Sequence, residues 1–180
     1  DVSAIAVSHS IYFPLFLFVL GILNAITPTV SYLNGSHQRE LIAHQVRQGV
    51  WIVLMLSVPL IFVYLNSGFI LSFMETPDEF SLKSQQYLMA LSVGVIPALL
   101  AVNLRCMNDG LSNPKPAMVI TFFGLLLNIP LNDLFIFGKF GLPELGAVGC
   151  GVATAIVNWI MFGLILHYCY TNKAQKDIKL

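Results

Sequence analysis

Charge is what this sequence has least of. Only 10% of its 180 residues are charged, nine basic against nine acidic, for a formal net charge of +0; an ordinary soluble domain carries roughly 25%. With no basic excess there is no face to neutralise a phosphate backbone, which argues against a nucleic-acid partner. Cysteine is also scarce. Cys106, Cys150 and Cys169 show no CxxC spacing and fall in or beside apolar runs, so they read as small buried thiols rather than a disulfide or metal centre. His9, His37, His44 and His167 lack HExxH or any comparable ligand spacing. No Ser or Cys stands in a nucleophile motif and no glycine-rich loop follows a strand, so no motif supports an enzyme or a bound cofactor.

Apolar residues are what the chain has in abundance: 57% of it is hydrophobic and the mean hydropathy is +0.79. A soluble reading would have to bury several almost uncharged runs in the core of a short chain, so the composition gives an all-α integral membrane protein. A bilayer core of about 30 Å needs about 20 helical residues. Five runs qualify, at 2–33, 50–74, 87–104, 118–138 and 145–170. The first is longer than a straight crossing requires, so bends are expected at Pro14 and Pro28. Pro97 in the third run and Pro130 in the fourth are further expected bends. Between the runs, His37 to Gln48 reads as a short polar loop entering the next helix, and Glu75-Thr76-Pro77-Asp78-Glu79 as an acidic stop. Residues 105–116 read as a loop or helix end closed by Asn113-Pro114-Lys115-Pro116, and 139–144 as a tight connection.

Five crossings put the two ends of the chain on opposite sides of the membrane. Arg39, Arg47, Arg105, Lys115, Lys173, Lys176 and Lys179 fall on one side of this alternation, and only Lys83 and Lys139 on the other. The positive-inside rule makes the first side cytoplasmic and places Asp1 outside. The chain opens at Asp1 with no signal-peptide pattern, which is expected of a fragment.

The polar groups that stand out lie in Leu127-Asn128-Ile129-Pro130-Leu131-Asn132-Asp133, inside the fourth run. Polar side chains are expensive to hold there. Asn128 and Asn132 share a helix face one turn apart. Pro130 has no N–H, which frees the carbonyl of Leu126. Two amide oxygens and a freed carbonyl suit a cation or a polar substrate group, with Met118, Phe122 and Phe123 as an apolar wall. They equally suit hydrogen-bonded glue to a neighbouring helix. Asp133 reads as a functional intramembrane acid or, near the outer helix end, as a solvated interfacial carboxylate. Thr154 either bonds back to its own helix or faces a cavity. Ala147, Gly151 and Ala155 form a small-residue packing face.

An ordered set of motifs resembles a known family. Asn24-Ala25-Ile26-Thr27-Pro28, Leu33-Asn34-Gly35 and Ile42-Ala43-His44-Gln45-Val46-Arg47-Gln48-Gly49 are similar to the second helix and following loop of the NorM branch of MATE (multidrug and toxic compound extrusion) transporters. The resemblance continues through Leu104-Arg105, Asp109-Gly110-Leu111-Ser112, Lys115-Pro116, Leu127 to Asn132 and Pro143 to Ala155, and so covers nearly the whole chain.

The resemblance implies helices two to six of the N-terminal lobe of a twelve-helix, two-lobed antiporter in a bacterial inner membrane. Such a protein exports cationic or amphipathic drugs in exchange for Na⁺ or H⁺ by alternating access. Its partners would be the lipid bilayer, cationic drug-like molecules, and the first helix and C-terminal lobe of the same transporter. Carried over position by position, Asn128, Asn132 and Thr154 match a polar cavity site. This sequence keeps a neutral Asn at 132, where some members have Asp, and places Asp133 one position later. Two other readings stand beside this one. A lipid-linked oligosaccharide flippase of the same superfamily should line its cavity with basic residues, and a non-transporting structural membrane fragment needs no cavity at all.

Overall fold

A computed structural model describes residues 2–73, 78–138, 144–172, 175 and 178, with side chains described except at 2–5, 70, 72–73 and 78–80. Asp1, the acidic stop at 75–77, the connection at 139–143 and the tail lysines Lys173, Lys176 and Lys179 lie outside these residues. All regular structure among the described residues is helical, in seven segments of which five candidate spans are long and apolar enough to cross a membrane.

The first span is made of two helices, α1 (Val2–Asn24) and α2 (Ile26–Gly35). The break at Ala25 falls one turn ahead of Pro28, whose ring lacks the N–H that the Asn24 carbonyl would otherwise accept. The Ala25 N–H reaches back to the Ile22 carbonyl at 3.2 Å in a tightened turn, and Thr29 Oγ1 donates to the Ala25 carbonyl at 3.0 Å. Pro14, Pro97 and Pro130 instead lie inside runs that stay helical on both sides.

Helix α3 (Glu40–Leu65) starts before the expected span and α4 (Ser67–Phe73) ends the same apolar run. The segment read as a loop is helical because Ile42, Ala43, Val46 and Gly49 form a buried stripe at helical spacing. The run is broken at Asn66, where both the backbone N–H (3.0 Å) and the side-chain amide (2.9 Å) bond the Phe62 carbonyl. Helix α5 (Asp78–Gly110) extends beyond its expected span at both ends; its 33 residues reach about 50 Å at ~1.5 Å per residue. Residues 105–110 belong to it because charge at the membrane edge does not stop a helix. Arg105 and Asp109 pair one turn apart at 3.6 Å. Ser112, at φ 59, turns the chain, and the Asn113 N–H caps the Asn108 carbonyl at 2.9 Å.

The prolines at 114 and 116 begin α6 (Lys115–Ile136) rather than exclude a helix, since a missing N–H in the first turn would be unpaired anyway. Helix α7 (Ala147–Thr171) follows Gly146, whose φ of 54 suits glycine. The core is α5, which packs against α7, α3, α1 and α2, while α6 leans chiefly on α7. Leu88, Leu91, Val95, Leu99 and Met107 carry the buried side of α5, whereas only Ala117 and Gly124 of α6 are buried.

Candidate functional site

The α6–α7 hairpin is set by glycine. A Cβ on Gly124 would strike the Met161 side chain, and one on Gly149 would strike the backbone carbonyl of Phe135, so both approaches depend on the missing side chain. These contacts fix an antiparallel register. Interpolating between them brings Thr154 level with Pro130, between Asn128 and Asn132.

Asn132 donates its side-chain N–H to Asn128 Oδ1 at 2.8 Å, and both residues are half-buried. This bond stays within α6, so it is not interhelical glue. Asn132 Oδ1 is buried and has no hydrogen-bond partner among the described residues. A carboxamide oxygen shielded from water and left unpaired is costly unless something accepts its lone pairs. Asp133 is half-buried and lies about 100° round the helix from Asn132, so it points to a different sector. Thr154 Oγ1 donates back to the Cys150 carbonyl at 2.9 Å, which uses its proton and leaves the oxygen as an acceptor.

A cleft of about 160 Å³ opens between α1, α5, α6 and α7, lined by Phe16, Ala98, Arg105, Thr121, Asn158 and Met161 among others. Asn128, Asn132, Asp133 and Thr154 are not in that lining. Met118, Phe122 and Phe123, expected as an apolar wall, stand on the exposed face of α6 and do not line the cleft either. Sequence reading missed Asn158, which lines the cleft and donates to the Gly94 carbonyl at 3.3 Å. Its position one turn after Thr154 was the available signal. It also missed Asn103 and Asn108, both fully buried in α5. Asn103 donates to the Val46 carbonyl of α3 at 3.0 Å, and its Oδ1 is unpartnered against Gly49.

Asn108 anchors a polar network at the cytoplasmic end. Its amide donates to the Leu104 carbonyl at 2.8 Å and to Cys169 Sγ at 3.4 Å, while its Oδ1 accepts from Gln175 at 2.8 Å. Asn113 and Asn172 both donate to the Tyr168 hydroxyl, at 3.0 and 2.8 Å. The chain leaving α7 is thereby folded under the bundle, with Gln175 and Ile178 buried. No group of three His, Cys, Asp or Glu among the described residues could hold a metal ion.

Five apolar crossings, with polar groups inside the spans that are amides and hydroxyls rather than acid pairs or metal ligands, define a multi-pass membrane protein without enzyme chemistry. The MatE family profile matches residues 1–134, and the chain belongs to that family. It is 73% identical over 180 residues to a Haemophilus ducreyi protein described as "Probable multidrug resistance protein NorM". It is 47% identical to "Multidrug resistance protein NorM" of Vibrio cholerae and 49% identical over 181 residues to "Multidrug resistance protein MdtK" of Yersinia pestis. All of this chain is covered in each comparison, but it spans only 39–40% of the length of these relatives.

Proposed function

We propose that the chain is the N-lobe portion, helices two to six, of a secondary active transporter in a bacterial inner membrane. The transporter exports cationic or amphipathic drugs in exchange for Na⁺ or H⁺. The observation that carries this reading is the half-buried Asn128–Asn132 ladder in a MatE chain, with the unpartnered Asn132 Oδ1 at its end. Neutral carboxamide oxygens replace part of the water shell of Na⁺ or accept from a drug ammonium. They do not titrate, so the pair discriminates cations by dehydration. Proton exchange at this level falls to Asp133 or to groups beyond these 180 residues.

Pro130 removes one backbone bond from the same turn, which softens the helix where the ligand sits. An occupied ladder then biases the angle of α6 against α7, and the first helix and second lobe complete the rocking unit. The flippase reading lacks support, since Arg105 is the only basic residue in the described lining of the cleft.

The test is Asn132→Ala in the full-length transporter, scored by drug resistance beside the amount of protein in the membrane. Losing one such oxygen, worth about 1 kcal/mol, should weaken resistance roughly fivefold at unchanged expression. Unchanged resistance removes Asn132 from the mechanism.

A further inference from the structure

One face of α3 changes character along its length in a way that packing does not require. Its cytoplasmic end exposes Glu40, His44, Arg47 and Gln48, spaced at three and four residues along one side. Trp51 follows on the same side, 68% exposed. Met55, Val58 and Phe62 continue the line, each about two-thirds or more exposed, at 74%, 68% and 66%. The opposite face, with Ala43, Val46 and Val53, is buried. Charge, then an indole, then hydrocarbon is the polarity profile of one membrane leaflet. A partner helix would instead be met by small residues that let backbones approach, and this line has none.

The polar end is equipped for a headgroup. Arg47 spends its Nε on the Ala43 carbonyl at 3.3 Å, which holds the guanidinium against the helix and leaves its terminal amino groups as donors. That fork matches a phosphate. His44 and Gln48 are fixed to each other at 3.1 Å beside it. Glu40 lies two turns nearer the cytoplasm, on the rim of an open hollow of about 460 Å³ formed with His37, Gln38, Arg39 and Leu41. A carboxylate there opposes an anionic headgroup and accepts from a free ammonium. Arg39 and His37 add positive charge to the same hollow, which makes the anionic alternative the sharpest competitor.

We propose that this face of α3 binds a zwitterionic aminophospholipid of the cytoplasmic leaflet. Its phosphate sits on Arg47, its ammonium on Glu40, and its acyl chain lies along Trp51, Met55 and Phe62. The inference does not depend on the transport reading.

Trp51 reports on the site directly. The full-length protein, with Trp51 kept as its only tryptophan, is reconstituted in vesicles containing phosphatidylethanolamine, phosphatidylcholine or phosphatidylglycerol brominated on the acyl chain. Brominated phosphatidylethanolamine should quench Trp51 at least about threefold more strongly than phosphatidylcholine at equal mole fraction, an effect sized for a partly solvated charge pair. Glu40→Gln should abolish that preference. Arg47→Ala should weaken both lipids, and Arg47→Lys should keep part of the effect, with helicity checked for each variant. Equal quenching by all three lipids means ordinary annular contact and overturns the proposal. Strongest quenching by phosphatidylglycerol makes this an anionic-lipid site and overturns it as well.

Discussion

Asn103 shows what a single amide does inside this bundle. It reaches from α5 to the Val46 carbonyl of α3 and rests its oxygen on Gly49, where a Cβ would collide with that oxygen and with Ile26. Gly49→Ala should therefore destabilise the protein by about 1–3 kcal/mol, the usual range for overpacking, read as a loss of thermal stability in detergent. Shortening Asn103 to Ala in the same chain makes room, so the double variant should recover most of that loss. Independent effects of the two substitutions would show that the contact does not constrain the helices. The difference between legible and hidden residues is visible here. Asn128 and Asn132 declared themselves because their partners are each other, four residues apart. Asn103, Asn108 and Asn158 bond across 57, 67 and 64 residues of sequence, a separation that no local pattern encodes.

At the scale of elements, apolar runs revealed how many crossings there are but not where helices stop. The uncharged stretch after Arg47 located a span, yet α3 begins at Glu40 because a buried stripe continues through the polar segment. The breaks at Ala25 and Asn66 depend on particular carbonyls, one left without a donor by Pro28 and one captured by an asparagine side chain. The end of α7 was equally hidden, since a tail of lysines gave no reason to expect a buried Gln175. That docking is testable through Cys169, which is 3% exposed and receives the Asn108 amide. In a Cys106→Ser, Cys150→Ser background, Gln175→Ala should raise the rate of maleimide labelling at Cys169 about fivefold, the effect of one lost hydrogen bond on a local opening. Asn172→Ala, which removes only the bond to Tyr168, should raise it less. An unchanged rate in Gln175→Ala would mean that the tail does not cover the thiol.

For the whole molecule, the arrangement of basic residues fixes which surface faces the cytoplasm. Lys83 and Lys115, both exposed, stand at opposite ends of the spans that begin with them. A cysteine at 83 should react with a membrane-impermeant thiol reagent from outside intact cells, and one at 115 only after the membrane is opened. Reaction of both from the same side would refute the five-crossing order. Membership of the MatE family was legible because many short motifs recur in one order. The cleft was not, because its walls come from four helices and its lining residues carry no common spacing.

The position of α6 also bears on how the protein is made. Helices α1, α2 and α3 are already in the bilayer when α5 emerges from the ribosome, so the core helix finds its partners waiting. Helix α6 packs chiefly on α7, which is translated after it. Until then its asparagines face lipid with no neighbour, and the two segments are best delivered to the membrane together as one insertion unit. Biogenesis of this chain therefore has a vulnerable interval, and it falls between the synthesis of Asn132 and that of Met161, when the partner of Gly124 comes into place.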